Sequence, residues 1–564
     1  MAIFFAAVGG TPEDLQRLKA AASAALRREL GAAPIEATEA PGLFAVWHEL
    51  GIWAPVSHHR LEDGSLALLA GEPILQQGGQ RVSQTQALVH FAQGDLRGLL
   101  EQSHGTFCGL RLDPKHARLH AFTDKLGVRT LYTGQHRGIH FFTNARWLLQ
   151  GMGEVIALEP DPQGVLEIAS MAFPLAERTR YLGIRACYGA ELIEATAAGA
   201  HRQTYHDWQD LTPLDAGKPY EAELYETFLQ AVQDRQGEAQ EQTAFLSGGM
   251  DSRLIAASLA HSGIRLNTLN FAPSDTQDLT FGRMAAAALG TRHFEFPLGP
   301  DNFDNKQIQT ISAWKAQDGG RNFDRRIWSG DGGSVGLGHV YLDEQIVQLA
   351  TERRYDEAAA LLCRKNKWGV PSRALRPRYR ELARRLQTEV AAELRRWDRV
   401  PAKAAYLFLL LNDQRRHLIG HFETVHKKGF DFALPFFDAR VIAKVLAGPN
   451  EDLLNHRVYN RILLALPGPI AQVPWQAYPG HDPCPVPVPQ ELKLRYQWEA
   501  CYDEDDTKML KDQHTAHCLS SALQPKSPML SRGNLLAAWV LTKSGLRDQS
   551  FYGRYAEAVE QASR

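Results

Sequence analysis

Up to about residue 205 the apolar positions come in short alternating runs cut by turn residues. "GSLALLAGEPI", "ARLHAFTD" and "GIHFFTNA" each predict a strand bounded by Gly, Asp or Asn. One early segment has a different period: "PEDLQRLKAAASAALRREL" repeats its apolar residues every three or four positions and predicts a helix. The opening "MAIFFAAVGG" is apolar but short, lacks a basic lead and runs straight into polar "TPEDLQRLK", so it predicts a first strand and not a secretion signal. "HRQTYHDWQDLTPLDAGKP" is polar, with Pro and Gly, and predicts a linker. From about residue 218 helical periods alternate with short apolar runs: "ELYETFLQAVQDRQ", "TAFLS", "RLIAASLAHSG", "RLNTLNFA", "TFGRMAAAALG". That alternation predicts a parallel sheet flanked by helices. Past residue 340 the pattern is mostly helical. There "RYRELARRLQTEVAAELRRWDRV" sets Tyr379, Leu382, Leu386, Val390, Leu394 and Trp397 on one face and Arg384, Arg385, Arg395 and Arg396 on the other, an amphipathic surface helix with a basic side open to an anionic partner.

Composition narrows the function classes. At 564 residues the chain exceeds what one core usually serves, so two or more domains are expected. A formal net charge of −2 lacks the basic excess of a nucleic-acid-binding protein, and no window nears eighteen consecutive apolar residues, so neither nucleic acid nor membrane is expected as a partner. Six scattered cysteines (Cys108, Cys187, Cys363, Cys484, Cys501, Cys518) do not form a disulfide framework and fit a reducing cytoplasm. Cys484, Cys501 and Cys518 with His481, His514 and His517 lack the close CxxC pair of a zinc site. The acidic "DEDD" at 503–506 predicts a solvated loop.

The candidate chemistry sits in "TAFLSGGMDSRLIAASLA", Thr243 to Ala260: an apolar strand, a glycine turn, then a helix. Gly248 and Gly249 let backbone approach a ligand, and the helix start directs free N–H groups at an anion. The Ser247 and Ser252 hydroxyls can donate to phosphate oxygens. Asp251 would repel phosphate, so it makes sense as a ligand for Mg2+ that bridges to the phosphates. A second loop, "WSGDGGSVGLGHVY", has five glycines in eleven residues and follows Arg321, Arg325 and Arg326.

SGGMDS lacks the lysine of a GxxxxGK[ST] loop and resembles the pyrophosphate-binding loop of N-type ATP pyrophosphatases. Taken in order, SGGMDS, "LNFAPSDTQDLTFGRMAAAALGTRHFEF", "SGDGGSVGLGHVY" and "LPFFDARVIAKVLAG" resemble the synthetase domain of B-type asparagine synthetases, and "HGTFCGLRLDPKHARLHAFTDKLGVRTLYT" resembles their N-terminal domain. The resemblance covers nearly the whole chain. It implies an α/β architecture: a glutaminase-like, N-terminal nucleophile-like αββα sandwich over residues 1–205, a linker over 206–217, and an ATP pyrophosphatase parallel-sheet domain with a helical C-terminal part over 218–564. It also implies ATP held by Leu246, Ser247, Gly248, Gly249, Met250, Asp251, Ser252, Asn270, Phe271, Ser329, Gly330 and Gly332. Asp251 and Asp331 would be the Mg2+ ligands and the catalytic residues, Asp331 as base or positioner of the attacking amine.

Four departures from the family pattern shape the expected function. Residue 2, a nucleophilic cysteine in glutamine-dependent members, is Ala2, and a methyl group cannot attack an amide. Asp331 stands where the family has Glu or Tyr, and Ser334 where it has a Mg2+-binding acid. The family's C-terminal lysine falls at Trp475, Gln476 or Ala477, with His481, Lys493 and Arg495 as possible substitutes. Loss of the glutaminase with retention of the ATP loops resembles β-lactam synthetases and, more closely in the SGDGG and "VPWQxYPGH" segments, the lasso-peptide macrolactam synthetases. The resemblance therefore implies an ATP-dependent ligase that adenylates a side-chain carboxylate of a ribosomal precursor core peptide and closes a ring with the peptide's own N-terminal amine. A leader-binding protein and a leader protease would be its partners. Ammonia-dependent asparagine synthetase, β-lactam synthetase and an inactive scaffold stay open as alternatives.

Overall fold

The computed structural model describes residues 1–31, 34–274, 276–297, 306–317, 324–338, 340–492, 495–496 and 504–563. Arg321, Lys493, Cys501 and Asp503, singled out above, lie outside them. The chain divides into two compact units. One comprises Met1–Ala157, Cys187–Val340 and His417–Ala500; the other Leu158–Ala186, Tyr341–Arg416 and Cys501–Arg564.

The first unit holds both of the predicted sheet types. Strand β1 (Ala2–Gly9) is buried along its whole length. It lies between Ile139–Thr143 and Leu43–Glu49, antiparallel to both. A second antiparallel sheet runs Gly199–Thr204, Glu191–Thr196, Arg118–Thr123, Thr106–Asp113, Leu66–Glu72, His58–Arg60. The sheets face each other, with helices on their outer faces. Helix α1 (Pro12–Leu30) covers the periodic segment in full. It begins where the Thr11 hydroxyl accepts the Asp14 N–H at 3.2 Å and ends at Gly31, whose φ of 71° stops the turn. Residues 206–217 contain neither helix nor strand, but Trp208 is buried and its indole N–H donates to the Lys125 carbonyl at 2.9 Å.

The parallel sheet follows in the same unit. Its strands β2 (Glu241–Phe245), β3 (Arg265–Asn270), β4 (Arg292–Glu295), β5 (Arg326–Trp328) and β6 (Asp431–Ala433) lie in the order β4-β3-β2-β5-β6. All four pairings are parallel. Thus β2 is central, and the chain leaves β3, β2 and β5 on one edge of the sheet. That edge, where the order switches direction, is where open α/β sheets bind ligands.

The second unit is largely helical. Its core gathers Val165 and Leu166, Val370, Ala374 and Leu375, and Leu530, Leu535, Ala556 and Val559 from the last three helices. The predicted amphipathic segment forms Arg380–Arg384 and Leu386–Arg395 with a turn at Arg385, and it buries Leu386, Val390, Leu394 and Trp397. No helix among the described residues is long and apolar enough to cross a membrane.

Candidate functional site

The glycine turn grows out of the central strand. Leu246 extends the ladder, its N–H donating to the Leu269 carbonyl at 2.9 Å, and helix α2 (Asp251–His261) begins five residues later. Between them the two serines hold the loop. The Ser252 hydroxyl accepts the Ser247 N–H at 2.9 Å, the two hydroxyls are 3.1 Å apart, and the Ser247 hydroxyl accepts the Gly249 N–H at 3.2 Å. The two glycines differ in role. A Cβ on Gly248 would lie 2.5 Å from the Gln277 carbonyl oxygen and 2.8 Å from Asp278 Cα, so the start of helix α3 (Gln277–Leu289) requires glycine there. Gly249 has open space beside it, its nearest neighbour being Ser247 Oγ at 3.4 Å. The approach of a ligand therefore falls to Gly249. Met250 is buried beneath the loop, and its carbonyl accepts the Leu254 N–H at 3.1 Å.

Asp278 supports the loop from α3. Its carboxylate accepts the Gly248 N–H at 2.9 Å, and burial pushes its pKa up to about 6 against the pull of the loop donors and Lys306. Asn270, at the end of β3, also acts within the protein: its amide donates to the Asp278 carbonyl at 3.2 Å and accepts the Ala272 N–H at 2.9 Å. The Phe271 ring meets Phe245 edge-on at 5.6 Å.

The second glycine loop lies directly against the first. A Cβ on Gly330 would come 2.9 Å from the Ser252 nitrogen, and one on Gly333 would come 2.4 Å from Asp251 Cγ. Gly332 has a φ of 89° and packs under the Phe437 ring. Ser329 leaves β5 with its N–H on the Ala433 carbonyl, and its hydroxyl donates to Asp331 Oδ2 at 2.5 Å. The Gln307 side chain also donates to that oxygen, at 3.5 Å.

Asp251 stands where the loops meet. Ser334 Oγ donates to its Oδ2 at 2.7 Å and so holds Asp251 in place. The hydroxyl of fully buried Tyr459, on the helix Arg457–Leu464, also acts on the Asp251 carboxylate. Burial raises the Asp251 pKa to about 6, opposed by Ser334 and Tyr459 and reinforced by the charge of Asp331. Asp251 and Asp331 are carboxylates on the two adjoining loops, and hard oxygen donors of this kind are what Mg2+ takes, so the two residues fit Mg2+ by their chemistry. No cluster of three or more His, Cys, Asp or Glu that could hold a metal occurs among the described residues.

The Pro-rich segment reaches the same place. The Arg253 guanidinium, fully buried on α2, donates to the Val473 and Pro474 carbonyls and lies 5.7 Å from the Trp475 ring. The Gln476 N–H donates to the Gly248 carbonyl at 2.9 Å. Of the proposed lysine substitutes, His481 stacks on His456 at 4.6 Å, and Arg495 accepts the Gln277 N–H through its backbone carbonyl at 3.0 Å. Sequence reasoning missed Lys306, Tyr459 and His421. His421 titrates below the usual imidazole range because of burial, with Asp331 pulling the other way. Nothing in the local pattern marks these residues, since each reaches the site from a distant segment.

At the start of β1 a cavity of about 20 Å³ is lined by Met1, Ile3, Cys108, Arg129 and Asn144 among others. That is room for roughly one water molecule. Cys108 is the thiol in the lining. It is buried, its Sγ lies 3.8 Å from the Thr130 carbonyl, and burial pushes its pKa far up, so it is no substitute nucleophile.

Residues 223–321 match the asparagine synthase family model, a span that includes the first glycine loop and stops short of the second. No curated protein matches the chain. Among solved structures, the chain aligns with glutamine phosphoribosylpyrophosphate amidotransferase from B. subtilis at 9% identity, over 50% of this chain and 79% of that one, with a TM-score of 0.24. It aligns with an allosteric regulatory enzyme of purine biosynthesis at 10% identity, over 53% and 81%, with a TM-score of 0.26. The similarity with most bearing on the site is thus that of residues 223–321 to asparagine synthases.

Proposed function

We propose that this protein is an ATP-dependent, AMP-forming amide ligase, and that its substrate is a precursor peptide in which it closes a macrolactam ring. The observation that carries the ligase reading is the meeting of the two glycine loops at Asp251, on the ligand-binding edge of the parallel sheet, within a chain whose residues 223–321 match the asparagine synthase model. The macrolactam reading rests on Ala2 and the one-water cavity, which call for an amine that arrives with the substrate, and on the "VPWQxYPGH" resemblance.

In this reading a substrate carboxylate oxygen attacks the α-phosphorus of ATP. The bond from that phosphorus to the bridging oxygen breaks and pyrophosphate leaves toward Ser247–Ser252. The peptide amine then attacks the acyl-adenylate carbonyl, AMP departs, and Asp331 takes the amine proton. Mg2+ on Asp251 and Asp331 would offset phosphate charge. Holding one folded peptide conformer supplies the rest, up to about 7–11 kcal/mol in favourable intramolecular reactions. A leader-binding protein and a leader protease are the partners this pathway of substrate delivery calls for.

The test is to supply ATP, Mg2+ and a leader-free core peptide and follow AMP, pyrophosphate and the loss of one water mass from the peptide. Turnover with aspartate and ammonia, and none with the peptide, would instead assign a small-molecule amide ligase. Gly333→Ala probes the loop junction. Its methyl would overlap Asp251 Cγ, so AMP formation should fall at least about tenfold while the fold loses no more than the about 1–3 kcal/mol of an overpacked site. Unchanged AMP formation would remove Asp251 from the mechanism.

A further inference from the structure

The glycine loops follow the C-terminal ends of β2 and β5. At the other end of the strands lies a cavity of about 380 Å³, within the size range of small-molecule sites. Its charged lining residues are the first residues of three neighbouring strands: Glu241 of β2, Arg265 of β3 and Arg292 of β4. The five residues of β2 span about 13 Å, so this cavity is separate from the SGGMDS site.

The ladder puts these charges on one face of the sheet. Glu241 is level with Arg265 and Asn267 with Arg292, while Arg265 and Asn267 are two residues apart on one strand. The Asn267 amide accordingly donates to Glu241 Oε1, at 2.8 Å. Glu241 thus turns an oxygen to Asn267, and no ion pair joins it to Arg265 across the ladder. Charge runs from positive on β4 and β3 to negative on β2, about 10 Å over two strand spacings. Ala260 and Leu289, which also line the cavity, belong to the last turns of α2 and α3. The carbonyl ends of those helices add partial negative charge and favour a cation. Ile264 and Leu266 supply apolar wall.

An anion alone would face Glu241, and a cation alone would face both arginines. A ligand that carries both charges satisfies the whole lining. We infer that this cavity binds a small zwitterion with an apolar side chain, a free apolar amino acid or a dipeptide. Its carboxylate is held by Arg265 and Arg292, its ammonium by Glu241, and its side chain lies against Ile264 and Leu266. The site is independent of the amide-forming reaction proposed above.

Glu241, Arg265 and Arg292 are exposed at the sheet edge, so each can be replaced without unfolding the chain. Calorimetry with the full chain measures binding of L-leucine and of leucyl-leucine. Leucinol, which lacks the carboxylate, and 4-methylpentanoate, which lacks the ammonium, are the controls. One zwitterion should bind at least about tenfold more tightly than either control, and the tighter of the two identifies amino acid or dipeptide. Arg265→Gln and Glu241→Gln should each weaken it by about tenfold, the loss of one charge-assisted hydrogen bond, and Glu241→Gln should not weaken 4-methylpentanoate. Absence of binding by both zwitterions at millimolar concentration would overturn the assignment, as would unchanged binding in both variants. Binding of 4-methylpentanoate as tight as that of the zwitterions would also overturn it, leaving a plain anion site.

Discussion

An Asp251→Asn variant is expected to form no measurable AMP and yet to melt higher than the wild-type protein at pH 8. The loss follows from the site: Asp251 is the buried carboxylate at the contact of the two loops, the oxygen donor there that suits a cation. Loss of an outer-shell metal partner alone costs about 10–100-fold, and a direct ligand should cost more than that. The gain in stability follows from the same burial. The folded-state pKa of Asp251 is raised from 3.8 to about 6, so the native state binds this proton more tightly than the unfolded chain does. Ionised Asp251 therefore costs stability as pH rises from about 4 through about 6, and the cost is constant above that. Asparagine removes the charge, which should return about 1–3 kcal/mol at pH 8 and little at pH 4. Apparent melting temperatures of both proteins at the two pH values, in a chelator, check the sign. Adding Mg2+ should then stabilise the wild type and leave the variant unmoved. A variant that melts lower at pH 8 would mean that the carboxylate is held by favourable partners, and AMP formation at the wild-type rate would remove it from catalysis.

Such a cost was legible in the sequence only in part. The strand, glycine turn and helix around Asp251 are local, and each obeys its own period, so their order could be read directly. The helix Pro12–Leu30 was equally plain because its cap, its apolar stripe and its closing glycine all lie within one segment. What packs against such a segment is not local. Gly248 is required by Gln277 and Asp278, thirty residues on, and Asn270 serves the same helix start instead of standing ready for a ligand. Ser334, which the family pattern marks as a poor metal ligand, turns out to hold Asp251 by a hydrogen bond that no spacing rule announces. The same holds for Tyr459: a single tyrosine within a helical period looks like any other until the fold brings it to Asp251. Least visible were the ties between segments some three hundred residues apart, which join the antiparallel sheets to the edge of the parallel one.

Removing the strongest of those ties should cost more stability than any other single change considered. Arg129, 3% exposed, grips Asp431 at the start of β6 with both terminal nitrogens, at 2.7 and 2.9 Å, and lies 4.0 Å over the Phe422 ring. Asp431 also accepts from the Trp53 indole at 2.5 Å and lies 3.0 Å from His426 Nε2. Burial alone would raise the pKa of Asp431, but Arg129 and His426 hold it well below the usual carboxylate range. Arg129→Met would leave a buried carboxylate without its cation, a loss of about 3–5 kcal/mol near neutral pH. Adding Asp431→Leu should recover much of it, because a packed apolar pair often replaces a buried ion pair at little cost. The pH dependence separates charge from packing. A depressed pKa contributes stability above the unfolded value of 3.8, and that contribution disappears as pH falls through the folded value. The difference in denaturation midpoint between wild type and Arg129→Met should therefore be large at pH 7 and shrink toward pH 3. A difference that stays constant over that range would assign the loss to the contact with Phe422, and the ion pair would then contribute nothing of its own.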